Sequence, residues 1–294
     1  MGTPSHRESP DFQGDDCTAA VFCGGVSLRM GPLAAVQPKT LLAAYNTPLL
    51  WRLIEQLQVA GLGDIVVSTT PRFEEALSQA IGSRARSNGS GSQPRLVCCT
   101  EQQNGVLAGF RNVLANSPTD KVLLCLGDIY FLSNPFLSIR AHLSADYDCL
   151  AAAAITVAPE VHQGGLILHD NGKIRSVIEP PVDSISGEAL RWSGVALVER
   201  KRALVDIDAF LADSQPDSRP GDFFEFQRGR GVVVRVIACP DFVNVNSPDH
   251  LLLASIYAKL EARGDLDSRT ATLSDAATEL RLELATQLNH VRQS

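Results

Sequence analysis

From Thr18 to Leu126 the chain alternates apolar runs of strand length with segments of helical spacing, and that alternation limits its fold more than any other feature. Thr18–Cys23 (TAAVFC), Asp64–Ser68 (DIVVS), Arg95–Cys99 and Lys121–Leu126 (KVLLCL) read as buried strands. Between them Pro48–Ala60 carries apolar residues at 49, 50, 53, 54 and 57, the spacing of one helix face. Arg72–Ile81 and Gly105–Ala115 read as further helices, and the low-complexity stretch 82–94 (GSRARSNGSGSQP) as a flexible loop. Strand–helix–strand units at this interval fold by right-handed crossovers into a mostly parallel sheet with helices on both faces, an α/β architecture. Ligands of such sheets sit at the carboxyl ends of the strands. Gly24–Lys39 and Gly127–Asp128 therefore belong to the site before any motif is considered.

The second half changes character. Leu150–Val157, Gly165–His169, Ile174–Ile178, Trp192–Val198 and Val232–Ala238 read as strands, and Asn171-Gly172 is a strong hairpin turn. These add antiparallel or mixed strands that cover the site. Asp213–Gly221 (DSQPDSRPG) reads as a loop, and Leu251–Ala262 and Leu273–Val291 as helices. The expected organisation is a disordered tail over 1–16, one domain over 17–262 and a helical extension over 263–294.

With 45% apolar and 20% charged residues among 294, the chain can bury the core of one large domain or two modest ones. Its 26 Lys and Arg against 33 Asp and Glu leave a net charge of −7, which argues against general nucleic-acid binding. A single nucleotide needs only a few local cations. The longest apolar run, Cys149–Ala158, falls well short of a bilayer span. The polar N-terminus lacks a hydrophobic signal core. Seven cysteines, an odd number without metal-ligand spacing, read as reduced and mostly buried thiols of a cytoplasmic protein. The six histidines show no pairing pattern and read as surface or structural residues.

The segment with most chemistry is Ala20–Leu42, AVFCGGVSLRMGPLAAVQPKTLL. Gly24 and Gly25 let the backbone approach a polyanion, and their N–H groups can form an anion-binding nest. Arg29 and Lys39 supply the cations a triphosphate needs. The spacing is neither a dinucleotide fingerprint nor a Walker motif. Asp128 ends an apolar strand, a position suited to a metal ligand as well as to a plain turn. In Phe242–Leu252 (FVNVNSPDHLL), Asn244 and Asn246 precede Ser247-Pro248, which reads as the N-cap and first residue of a helix.

Taken together, these segments resemble the sugar-1-phosphate nucleotidylyltransferases. Gly24, Gly25, Arg29, Pro32, Leu33, Pro38, Lys39, Leu41, Leu42, Pro48, Leu49 and Leu50 match that family's first signature in register. Ser27 and Leu28 depart from it. Ser27–Gly31 (SLRMG) and Asn244–Asp249 (NVNSPD) instead resemble the molybdenum-cofactor guanylyltransferases, although there the lysine follows sooner than Lys39 does here. Gly165–Pro181 resembles the sugar family's acceptor segment, with Pro180 where that family has a lysine.

The resemblance implies a Rossmann-like nucleotidyltransferase fold over 17–262 and transfer of a nucleotidyl group from an NTP to a sugar 1-phosphate, with Mg2+. It implies catalytic roles for Arg29 and Lys39. Gly24, Gly25, Ser27, Gln102, Gln103 and Gly105 would bind the nucleotide, and Glu179, Arg191 and Gly194 the acceptor. Asp128 and Asn244 would hold the metal, with Asn246 as second choice. It points to a homo-oligomer, with no nucleic-acid or membrane partner. Two alternatives stay open: a guanylyl- or cytidylyltransferase acting on a non-sugar phosphate or cofactor, and a non-catalytic nucleotide-binding regulatory domain.

Overall fold

The first strand, β1 (Cys17–Phe22), is buried along its whole length. Cys17, Ala19 and Val21 enter one apolar cluster while Ala20 and Phe22 enter another. A strand buried on both faces needs cover on both sides, and the rest of the fold supplies it. The computed structural model describes residues 17–25, 28–32, 37–88, 93–99, 105–143, 149–155, 165–178, 189–213 and 219–263.

After β1 come short 3-10 turns at Leu28–Met30 and Lys39–Leu41 and a small hairpin of β2 (Ala43–Ala44) and β3 (Thr47–Pro48). Next are α1 (Leu49–Val59), β4 (Ile65–Thr69), α2 (Pro71–Asn88), β5 (Arg95–Cys98), α3 (Gly105–Asn116), β6 (Lys121–Leu126), β7 (Ile129–Phe131) and α4 (Phe136–Arg140). The second half holds β8 (Cys149–Ile155), β9 (Leu166–Asp170), β10 (Lys173–Ile178), β11 (Ala189–Glu199), α5 (Arg200–Asp213), α6 (Pro220–Gly229), β12 (Val234–Ala238), β13 (Phe242–Asn244) and α7 (Pro248–Arg263).

Nine strands form one mixed sheet in the order β5-β4-β1-β6-β11-β8-β12-β10-β9. The four strands of the first half run parallel, and β11 joins β6 antiparallel. Helices α1, α2 and α4 pack on one face through Leu50, Leu53, Ile54, Leu57, Phe73, Leu77, Phe136 and Ile139. Helices α3, α5 and α6 pack on the other through Leu107, Phe110, Ile207, Phe223 and Phe224. The expected α/β sheet with helices on both faces is thus found. β13 and β7 form a separate antiparallel ribbon, with Asn244 opposite Ile129.

Two expectations are corrected. The loop expected from residue 82 is helical to Asn88. Arg84 pairs with Glu55 and lies 5.0 Å from the Trp51 ring centroid, which holds this polar end of α2 on α1. Residues 200–213 and 220–221 are helical where no helix, or a loop, was read. Asp206 interrupts the apolar face of α5; it is wholly buried and ion-paired to Arg202 and Arg230. The expected tail and C-terminal extension, apart from Arg263, lie outside the described residues. Cys17, Cys23, Cys98, Cys99, Cys125 and Cys239 are free thiols, and among the described residues no helix is long and apolar enough to cross a membrane.

Candidate active site

The carboxyl ends of β1, β4 and β6 meet through backbone. Gly127 N donates to Phe22 O at 3.0 Å, and Cys23 N to Ser68 O at 2.8 Å. A Cβ on Gly127 would stand 2.7 Å from Phe22 O and 3.0 Å from Cys23 Sγ and Thr40 Cγ2, so only glycine fits between the strand ends. Gly24 is nearly as close to β4, its Cβ position lying 2.9 Å from Thr70 Cγ2, while that of Gly25 faces open space. Gly105 opens α3 with φ +59°. The βα connection places that helix N-terminus on the same edge of the sheet, where backbone N–H groups favour anions.

Onto this edge the Pro38-Lys39 turn directs a buried ammonium. Lys39, 7% exposed, donates from Nζ to Asp128 Oδ2 at 2.5 Å and to Asn246 Oδ1 at 2.8 Å. Asn246 Nδ2 in turn donates to Asn244 Oδ1 at 2.6 Å. The ribbon creates the convergence: Asn244 pairs with Ile129, and Val245 N donates to Asp128 O at 2.9 Å. Asp128 Oδ1 is buried and has no hydrogen-bond partner among the described residues. An orphaned carboxylate oxygen beside two amide oxygens is the hard donor set a divalent cation such as Mg2+ takes. No group of three His, Cys, Asp or Glu suited to a metal occurs among the described residues, so such an ion would need further oxygens from a phosphate.

Cations dominate the surroundings. His250 is held below its ordinary value, first by burial and then by the charge of Arg29, with Lys39 and Arg191 adding and Asp249 opposing. Its Nδ1 accepts the Asn246 backbone N–H at 3.3 Å, and its own N–H meets Ser247 Oγ at 3.3 Å, the expected helix cap. Under the cluster, burial pushes the Cys23 thiol up to about 12; Thr40 opposes this and Asp128 adds to it. That thiol stays neutral and is no nucleophile.

The structure therefore links Lys39, Asp128, Asn246 and Asn244; Gly24 and Gly25 follow Cys23, whose Sγ borders Gly127, and the charge of Arg29 reaches His250. Asn246 contacts the ammonium directly and Asn244 stands one hydrogen bond behind. Arg191, read as an acceptor group, is 5% exposed and donates from Nη2 to Phe242 O at 2.7 Å. Gly194 is buried at the β11 bulge with φ +75°, its Cβ position 3.1 Å from the Leu126 side chain. Ser27, Gln102, Gln103, Glu179 and Pro180 lie outside the described residues.

Comparison with known proteins agrees with this fold. Over 112 residues the chain is 30% identical to glucose-1-phosphate thymidylyltransferase of Mycolicibacterium smegmatis, covering 38% of this chain and 37% of that protein. Over 180 residues it is 24% identical to the catalytic subunit beta of mannose-1-phosphate guanylyltransferase of Drosophila melanogaster, covering 60% and 47%. The matches thus span less than half the length of both curated relatives. A crystal structure of a Bacillus anthracis protein named as a glucose-1-phosphate thymidylyltransferase, in complex with a sucrose, superposes with a TM-score of 0.68 at 16% identity, covering 88% of this chain and 99% of that one. The model of the MobA-like NTP transferase domain matches residues 19–214, about two thirds of the chain. The chain belongs to the MobA-like NTP transferase family, a family of nucleotidyltransferases.

Proposed function

We propose that this chain transfers a nucleotidyl group from an NTP to a sugar 1-phosphate, releasing pyrophosphate. The observation that carries this reading is the hydrogen-bonded cluster Lys39–Asp128–Asn246–Asn244 beside the Gly24-Gly25 turn, at the carboxyl ends of β1 and β6. Relatives named as transferases of glucose 1-phosphate and mannose 1-phosphate support the choice of acceptor.

The acceptor phosphate has a second pKa of about 6 and is already anionic near neutral pH. No general base is needed, and the neutral Cys23 does not offer one. Catalysis rests on positioning and charge neutralisation. Arg29 and the amides of Gly24 and Gly25 hold the β and γ phosphates. Lys39 neutralises charge growing at the α-phosphate as the acceptor oxygen attacks it and pyrophosphate leaves. Asp128, with Asn246 and Asn244, would hold Mg2+, which when bound supplies positive charge to the phosphates that meet there. We read 17–262 as the unit that does this chemistry.

A second reading, guanylyl or cytidylyl transfer to a non-sugar phosphate, is favoured by the direct place of Asn246 in the cluster, which makes both asparagines of NVNSPD part of the site. Incubating the protein and Mg2+ with ATP, GTP, CTP, UTP or dTTP against a panel of sugar 1-phosphates and non-sugar phosphates tests both. An NDP-sugar detected by mass is the expected product. A product only with non-sugar acceptors selects the second reading, and no product with any pair refutes both.

A further inference from the structure

The strand that presents the two asparagines is not part of the main sheet. β13 is three residues long and pairs with β7 in a two-stranded ribbon. A ribbon that short does not hold its own position. From the interior of β11, opposite Ala154 of β8 and Leu166 of β9, Arg191 reaches it. Its Nη2 donates to Phe242 O at 2.7 Å, and its guanidinium carbon lies 4.1 Å from the centroid of the Phe242 ring. The Phe242 ring in turn lies 5.9 Å from that of Phe131 on β7, so the guanidinium meets β13 directly and β7 through that ring.

A charge buried this deeply is disfavoured unless its hydrogen bonds and surroundings answer it. A carbonyl that takes the Nη2 hydrogen bond and an aromatic face are among the partners that stabilise a desolvated guanidinium. Phe242 precedes Asn244 by two residues on the same short strand, so a shift of the Phe242 carbonyl carries Asn244, and after it Asn246, away from Asp128.

We propose that Arg191 is a positioning residue: it fixes β13 to β11 and so sets the amides of Asn244 and Asn246 against Asp128 and Lys39, without touching the acceptor. This rests on the proposed metal-assisted reading of the cluster for its functional meaning, but its structural content does not depend on turnover.

The test compares wild type with Arg191→Met, and with Arg191→Lys, which keeps the charge and loses the planar fork. Arg230→Met, at the distant Asp206 ion pair, controls for general loss of stability. Two readouts are independent of activity: hydrogen exchange of the Val245 amide, which bonds Asp128 O, and binding of Mn2+ in the presence of inorganic tripolyphosphate. Loss of a residue that orients metal ligands weakens metal binding about 10–100-fold. We expect faster exchange at Val245 and at least tenfold weaker Mn2+ binding in both Arg191 variants, with neither change in Arg230→Met. Should Arg191→Met fail to fold, Arg191→Lys alone decides. Wild-type exchange and Mn2+ affinity, with only KM for the acceptor raised, would overturn the proposal and return Arg191 to the acceptor. A protein inactive with every NTP and acceptor would refute the proposed function and leave both binding readouts to judge Arg191.

Discussion

Replacing Gly127 by alanine perturbs the site through one methyl group. The added Cβ would stand 2.7 Å from Phe22 O and 3.0 Å from both Cys23 Sγ and Thr40 Cγ2. Neither neighbouring residue can yield easily: Cys23 is 3% exposed and Thr40 4%. The Gly127 N–H also donates to the same Phe22 carbonyl, so relief of the contact stretches the bond joining the strand ends. Overpacking of this kind costs about 2 kcal/mol. For a chain of this length that is a fall of about 3 °C in the apparent Tm. Asp128 is the next residue, and a 1 Å displacement of a group at a reacting centre lowers turnover about 100-fold. Gly63→Ala is the control, since a Cβ there meets nothing within 4 Å. Melting followed by circular dichroism and turnover under saturating substrates measure both effects. If Gly127→Ala and Gly63→Ala both match wild type in Tm and turnover, the close approach at the strand ends has no role and the reasoning fails.

Three further predictions rest on the same geometry. Lys39→Met removes the ammonium from Asp128 and Asn246; turnover is expected to fall about 100-fold or more, as on losing an oxyanion donor, and near wild-type turnover sinks the assignment. Asp128→Asn removes the one carboxylate of the cluster; the Mg2+ concentration for half-maximal rate should rise at least about tenfold, whereas an unchanged Mg2+ dependence excludes Asp128 as a ligand. Burial pushes Cys17 and Cys23 up from 9.0 to about 12. Between those values the unfolded chain has lost protons that the folded chain retains, so their stabilisation is complete below about pH 9 and declines as pH rises. Apparent Tm should fall from pH 8 to pH 10.5 with no change between pH 7 and 8; a flat profile across pH 9–10.5 contradicts the burial.

The first half of the fold was legible because β1, β4 and β6 are buried on both faces and α1 shows its apolar positions at helical spacing. Helix α5 was not, because Asp206 stands on its inward face, and only the fold reveals that Arg202 and Arg230 meet it there. The end of α2 reads as low complexity, yet Trp51 and Glu55 of another helix hold Arg84 in place. Lys39 and Asp128 were legible because both lie in segments that follow strands of the sheet. The contact of Asn246 with the Lys39 ammonium was not, because it depends on the pairing of β13 with β7. Arg191 was seen as a cation near the acceptor, but a chain pattern cannot show that its fork meets the Phe242 carbonyl fifty-one residues away.

The central claim is that an acceptor phosphate displaces pyrophosphate from the α-phosphorus of an NTP at the Lys39–Asp128–Asn246 cluster. The most direct measurement follows α-32P-labelled NTP with and without the acceptor, in wild type and Lys39→Met. The account predicts label in an NDP-linked acceptor with one pyrophosphate released per label transferred, little release without acceptor, and collapse of both in Lys39→Met. Label appearing as free NMP regardless of acceptor, or transfer undiminished in Lys39→Met, would contradict it.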